Sequence, residues 1–93
     1  MAFLFEFDPD KAVGNAIKHR VSFGEAQTVF LDPLALEVPD PEHSMHEERL
    51  LLVGRSFHQR LLVVAFTERG DSIRIISARK ATRHERRIYE ERS

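Results

Sequence analysis

Three strand-length runs follow one another in the second half of the chain, and the middle one constrains the fold most. Residues 61–66 read Leu-Leu-Val-Val-Ala-Phe, apolar at every position. A half-buried strand alternates between apolar and polar; a run apolar on both faces belongs at the centre of a sheet. On either side lie Arg49–Arg55 and Ser72–Ala78, with the middle run extending over Arg60–Thr67. Only Ser56-Phe57-His58-Gln59 and Glu68-Arg69-Gly70-Asp71 separate them, so two hairpins are expected.

Upstream, Phe3-Leu4-Phe5-Glu6-Phe7 alternates as a short strand. Asp8-Pro9 is a helix start: an N-cap followed by proline where the missing N–H costs nothing. Ala12, Val13, Ala16 and Ile17 form an apolar stripe, with Lys11, Asn15 and Lys18 on a different face. Ser22 and Glu25 fit a capping box that opens a second helix, stapled by Val21 and Ala26 and ended by Asp32-Pro33. Leu34, Leu36 and Val38 alternate as a further strand, and residues 39–47 read as a polar loop. Thr82 and Glu85 form another capping box, opening a last helix from Arg83 to about Arg92. The order predicts one α+β domain over residues 1–93: a mostly antiparallel sheet of four to five strands, two N-terminal helices on one face and a short C-terminal helix. A chain of 93 residues buries a modest core, which favours help from a partner.

Several chemistries are disfavoured. There is no cysteine, hence no disulfide framework and no thiolate. No apolar run approaches the ~20 residues that span a bilayer, and the N-terminus lacks the basic and apolar regions of a signal peptide. The expected location is the cytoplasm, with no membrane contact. His43 and His46 lie near Glu47 and Glu48, but in a loop and without the helical spacing of a zinc motif. No metal or cofactor is expected. No phosphate-binding glycine motif and no nucleophile elbow occurs.

The net charge of −1 conceals an asymmetry. Residues 1–48 carry three basic and ten acidic side chains, a balance of −7; residues 49–93 carry eleven and five, a balance of +6. Either the halves neutralise each other, or the second presents a basic face to an anionic partner. Arginine outnumbers lysine eleven to three, and its planar fork suits phosphate. The last helix has only Ile88 and Tyr89 as strongly apolar members, among Arg83, Arg86, Arg87 and Arg92. It is either a solvated helix laced with ion pairs or a surface for an acidic partner.

Three stretches carry a family resemblance: FDPDKAVGNAIKHRVSFGEA at 7–26, EERLLLVGRSFHQRLLVVAFTERGDSIRIISARKAT at 47–82 and RHERRIYEE at 83–91. They resemble the BrnT family of bacterial type II toxins, over nearly the whole chain. The more specific parts are Asp8-Pro9 with Asn15, Lys18-His19 followed by Val21-Ser22-Phe23, the Arg74–Arg79 strand end, and Glu85-Arg86 followed by Tyr89. Arg20 stands where the family often has glycine, at a helix C-terminus that glycine would relieve. The resemblance implies a RelE-like fold and a ribonuclease that blocks translation. It also implies a hetero-oligomer with a BrnA-like ribbon-helix-helix antitoxin, which alone would contact DNA.

RNA can cleave itself when its 2′-OH attacks the adjacent phosphate. An enzyme must take the hydroxyl proton, stabilise the extra charge on phosphorus and protonate the leaving oxygen. Arginine can do the second task without metal. Arg79, at a strand end beside a helix N-terminus, is the first candidate. Arg49, Arg69, Arg74 and Lys18 are candidates for phosphate contacts. Glu85, His19, His84 and Tyr89 are candidates for proton transfer or for orienting arginine. Each has a plainer reading: Glu85 as a cap, His19 as a helix terminus, His84 as plain surface, Tyr89 as packing. Arg83, Arg87 and Ile88 are the expected antitoxin contacts. A catalytically inactive module that binds antitoxin or RNA is the alternative function.

Overall fold

The computed structural model describes residues 4–92. Along the chain run β1 (Leu4–Glu6), α1 (Pro9–His19), α2 (Phe23–Val29), β2 (Leu36–Pro39), β3 (Leu50–Arg55), β4 (Leu61–Arg69), β5 (Ser72–Lys80) and α3 (Arg83–Arg92). A single 3-10 turn, Pro41–His43, interrupts the polar loop. The five strands form one sheet in the order β1-β5-β4-β3-β2. All neighbours are antiparallel except β1, which runs parallel to β5, so the sheet is mixed. Of the first expected strand, Phe3 lies outside the described residues.

The central run earns its place in β4. Leu62, Val64 and Phe66 meet Val21, Phe23, Ala26 and Val29 from the α2 side. Leu61 and Val63 point the other way, to Val53 and to Tyr89 of α3. A strand apolar on both faces is thus buried by helices on both faces. The two N-terminal helices, α1 and α2, sit on one side, and α3 crosses the other.

The caps form as the sequence predicts, with one difference. Asp8 Oδ1 accepts from the N–H of Asp10 at 2.8 Å, and Ser22 Oγ from that of Glu25 at 2.9 Å. Glu25, however, does not reach back to close its capping box. Its buried carboxylate takes Arg60 through Nε at 2.9 Å and Nη2 in a tighter contact, and Ser56 Oγ at 2.6 Å. Competition from a guanidinium wins, because a bidentate bond charged on both partners is stronger than a single bond from a neutral backbone N–H.

The rotation of α1 is the larger correction. Of its apolar stripe Ala12 packs against the core, but Val13 is 61% exposed and Ile17 77%. The one buried residue of α1 is Asn15. The cause lies in β5. Beyond Arg74, β5 has no strand on its outer side, because β1 stops at Glu6. An edge with unpaired peptide groups needs another partner. Asn15 supplies it: Oδ1 accepts from the Ala78 N–H at 3.0 Å, and Nδ2 donates to the Ala78 carbonyl at 2.8 Å and the Val21 carbonyl at 2.9 Å.

A bulge in β5 sets which side chains share a face. The register passes from Ala65↔Ser77 to Phe66↔Ile75, so Ile76 has no opposite residue. The extra residue lets Ile75 and Ala78, three apart, both enter the core beneath the helices. It also puts Arg74, opposite Thr67, and Arg79, opposite Val63, on the same face of the sheet.

A cationic groove at the end of β5

The last turn of α1 and the end of β5 enclose an open groove of about 400 Å³ lined by Lys18, His19, Arg20, Arg79, Lys80 and Thr82. Among the described residues, no acidic side chain lines it. Asn15 positions it, since two of its three bonds fix α1 to Ala78, the residue next to Arg79, and the third ties it to Val21. A second tie comes from Arg60, whose Nη2 donates to the Arg20 carbonyl at 3.0 Å. Arg20 ends α1 in the left-handed region, φ 57° and ψ 36°, and its N–H donates to the Ala16 carbonyl.

Arg79 and Glu85 form a two-pronged pair: Nη1 to Oε1 at 2.7 Å and Nη2 to Oε2 at 2.8 Å. Oε1 also accepts from the Thr82 N–H at 2.8 Å, and Thr82 Oγ1 from the Glu85 N–H at 3.2 Å, which completes the expected capping box. The Arg79 guanidinium, then the Thr82 backbone N–H, outweigh burial and hold the Glu85 carboxyl down to about 2. Glu85 is therefore ionised at neutral pH, with both oxygens on the Arg79 guanidinium. Nη1 of Arg79 also reaches the Lys80 carbonyl at 3.3 Å, whereas its Nε edge has no protein partner among the described residues. A second fork of the guanidinium is thus available on a side chain 38% exposed.

The structure brings Lys18, His19, Arg79 and Glu85 together; other candidates lie elsewhere. Arg74 pairs with Glu6 at 3.5 Å, and Arg69 with Glu47 at 3.0 Å and Glu6 at 3.8 Å. Arg49, half-buried, precedes β3 on the same side. Four ladder steps, about 13 Å, separate Arg74 from Arg79. Beneath them, Thr67 Oγ1 is buried without a hydrogen-bond partner among the described residues.

Tyr89 is not in the groove. It is buried against Val53, Leu61 and Val63, and its hydroxyl donates to Asp32 Oδ2 at 2.6 Å. Burial, then that bond, push the phenol up, so it is a poorer proton donor than an ordinary tyrosine. Arg92 further anchors α3 by donating to the carbonyls of Leu34 and Ala35 at 3.3 and 3.1 Å. The helix that reads as weakly held is pinned by polar contacts that its own composition does not reveal. Arg83, Arg87 and Ile88 stay exposed along it.

A larger groove, about 610 Å³, lies beside Tyr89 and includes Asp32, Arg55, Phe57 and Glu90. It is the poorer site for an anion. Asp32 and Glu90 place negative charge there, and Asp32 is already saturated by the N–H groups of Arg55 and Leu34 and by Tyr89. Among the described residues, no group of three or more histidine and carboxylate side chains is placed to hold a metal ion. No helix there is long and apolar enough to cross a membrane.

Sequence reasoning missed Asn15, Arg20, Lys80 and Thr82 as parts of the site. Asn15 carried a signal as the single amide within α1, and Thr82 through its capping box with Glu85.

The family described as ribonuclease toxin, BrnT, of type II toxin-antitoxin system matches residues 7–85. The match includes every groove residue and ends at Glu85. No curated protein matches the chain. Among solved structures, the ribonuclease toxin BrnT of Brucella abortus superposes with a TM-score of 0.68 at 21% identity, covering 88% of this chain and 100% of that one. At that identity the likeness is one of fold.

Proposed function

The chain belongs to the BrnT family of ribonuclease toxins of type II toxin-antitoxin systems, and from that premise we propose that it is a metal-independent endoribonuclease acting in the groove at the end of β5. The observation that carries this is the Arg79–Glu85 pair, which presents the free Nε edge of a fixed arginine into a groove lined by Lys18, His19, Arg20 and Lys80.

In this reading the scissile phosphate binds the Nε edge of Arg79, flanked by Lys18 and Lys80. His19 takes the proton of the 2′-OH, since an imidazole can accept and release protons near neutral pH. The 2′-oxygen then bonds to phosphorus, the bond to the 5′-oxygen breaks, and that oxygen takes a proton from water at the open side of the groove. The products are a 2′,3′-cyclic phosphate and a 5′-hydroxyl. Arg79 stabilises the added charge on the phosphoryl oxygens, and Glu85 is its positioning residue. Arg49, Arg69 and Arg74 receive a neighbouring stretch of the RNA on the same sheet face. Tyr89 holds α3 and takes no chemical step.

Cleavage of cytoplasmic RNA would inhibit translation in a bacterial host, consistent with a RelE-like reading of the fold. The neutralising partner would be a BrnA-like ribbon-helix-helix antitoxin, through which alone the complex meets DNA. Arg83, Arg87 and Ile88 contribute to its contacts.

One observation favours the inactive binding module instead: the end-on fork of Arg79 is already occupied, as in a purely structural ion pair. Inducible expression with and without the neighbouring reading frame separates the two. The enzyme reading expects growth arrest and RNA fragmentation from the chain alone, relieved by its neighbour. Intact RNA and normal growth at high expression would favour the binding module.

A further inference from the structure

The outward stripe of α1 is the feature the proposed activity does not absorb. Val13 and Ile17, one helical turn apart, are both mostly exposed, as are Gly14 and Ala16 beside them. A side chain at Gly14 would meet nothing within 4 Å. An amphipathic helix ordinarily turns such a stripe inward. Here the Asn15 clamp on Ala78 fixes the rotation, and no packing inside the described residues covers the stripe.

The stripe leads into the groove. Val13 and Ile17 lie at i and i+4; Lys18 follows Ile17 directly, and Arg20 stands just past the helix end, both lining the groove. At the other end stand Asp8 and Asp10. A partner that covers the row therefore meets carboxylates at one end and four lysines and arginines at the other, Lys18, Arg20, Arg79 and Lys80. A second copy of this chain fits poorly. Packed antiparallel, it would bring only Asp8 and Asp10 to a groove with twice as many cations.

We propose that the Val13–Ile17 stripe of α1, continuous with the cationic groove at Arg20, is the docking surface for the neutralising antitoxin. This rests on the toxin reading of the groove and names how that site is silenced. The antitoxin seats the apolar face of an amphipathic helix on Val13 and Ile17. Its acidic end lies over Arg20 and Lys18, and its carboxylates occupy the positions that RNA phosphates would take at Arg79. Apolar contact supplies residence time and charge supplies steering. Inhibition is then by competition for the groove.

The test uses the purified chain and the antitoxin encoded beside it, comparing wild type with the Val13→Asp/Ile17→Asp double variant. Neither residue lines the groove, so RNA cleavage by the charge-neutral Val13→Ser/Ile17→Ser pair alone should equal that of wild type. Antitoxin affinity, measured by titration calorimetry, should fall about 100-fold or more, the loss of two buried apolar anchors. Antitoxin at concentrations that silence wild type should then leave the variant cleaving. That milder serine pair, checked by circular dichroism, also guards against misfolding. Unchanged affinity in a folded double variant overturns the proposal. So does a wild-type chain that is dimeric alone and becomes monomeric in the variant, because the stripe then joins two copies. If wild type binds antitoxin through this face yet cleaves no RNA, the docking proposal stands and the ribonuclease reading falls.

Discussion

Arg79 is the residue on which the account turns, and its chemistry makes it testable by conservative change. Arg79→Ala removes a positioned donor at a developing oxyanion, so cleavage should fall by about 10²–10³ in kcat with the fold retained. Arg79→Lys should recover little, because an ammonium cannot grip Glu85 at two points and still offer an edge to phosphate. A folded Arg79→Ala protein with undiminished cleavage removes Arg79 from the site. Glu85 gives a pH signature. Its folded pKa, about 2, lies below its ordinary 4.5, so its stabilising contribution is fully present above about 4.5 and is lost as pH falls through about 2. The melting temperatures of wild type and Glu85→Gln should therefore differ at neutral pH and converge across that acid window; a constant difference down to pH 2 would contradict the pairing. Arg20 makes opposing contributions to stability and to the groove. In the left-handed region a side chain costs about 1 kcal/mol that glycine does not. Arg20→Gly should raise stability by up to about 1 kcal/mol while weakening RNA binding, since it also deletes a groove cation.

Two elements show how far periodicity reads and where it stops. The Leu-Leu-Val-Val-Ala-Phe run of β4 was legible because its burial is local in origin: no polar atom along it needs water. The face of α1 was not legible. Its stripe obeys helical spacing, yet what orients the helix is an amide bonding to Ala78, 63 residues further on. Long-range satisfaction of an edge peptide leaves no local pattern. The same holds for the β5 bulge, which puts Arg74 and Arg79 on one face although their spacing in sequence predicts opposite faces. Asn15→Ala should cost about 2–3 kcal/mol by leaving buried edge groups unpaired. It should also lower kcat more than it raises KM, because α1 and Arg79 lose their common tie. Amide exchange at Ala78 should accelerate, and unchanged protection there would contradict the clamp. At β3, Gly54 meets α2 so closely that a Cβ would lie 3.0 Å from both Ala35 Cβ and Val29 Cγ1. Gly54→Ala should destabilise by about 1–3 kcal/mol through overpacking, read as a lower denaturant midpoint.

Across the whole molecule, the two readings of the charge asymmetry prove to be compatible. Acids of the first half neutralise arginines of the second: Glu25 with Arg60, Glu6 with Arg74, Glu47 with Arg69. The groove at the end of β5 is left with cations from both halves, Lys18 and Arg20 meeting Arg79 and Lys80. Composition could reveal the imbalance but not its location, which depends on α1 ending beside β5. The candidate site was legible to the extent that Arg79, Glu85, Lys18 and His19 fell in recognisable segments. Tyr89 was not separable from them by sequence, because α3 carries it over Val53 and Val63 to Asp32, away from the groove. For the assembly, charge reversal at Arg83 and Arg87 should weaken co-purification with the antitoxin, and an unchanged complex would confine recognition to the α1 side. The central claim is tested most directly by incubating the purified chain with RNA in excess EDTA and identifying the new ends by mass spectrometry. The account predicts 2′,3′-cyclic phosphate and 5′-hydroxyl ends from wild type and almost none from Arg79→Ala; no cleavage by folded wild type, or 3′-hydroxyl ends, would contradict it.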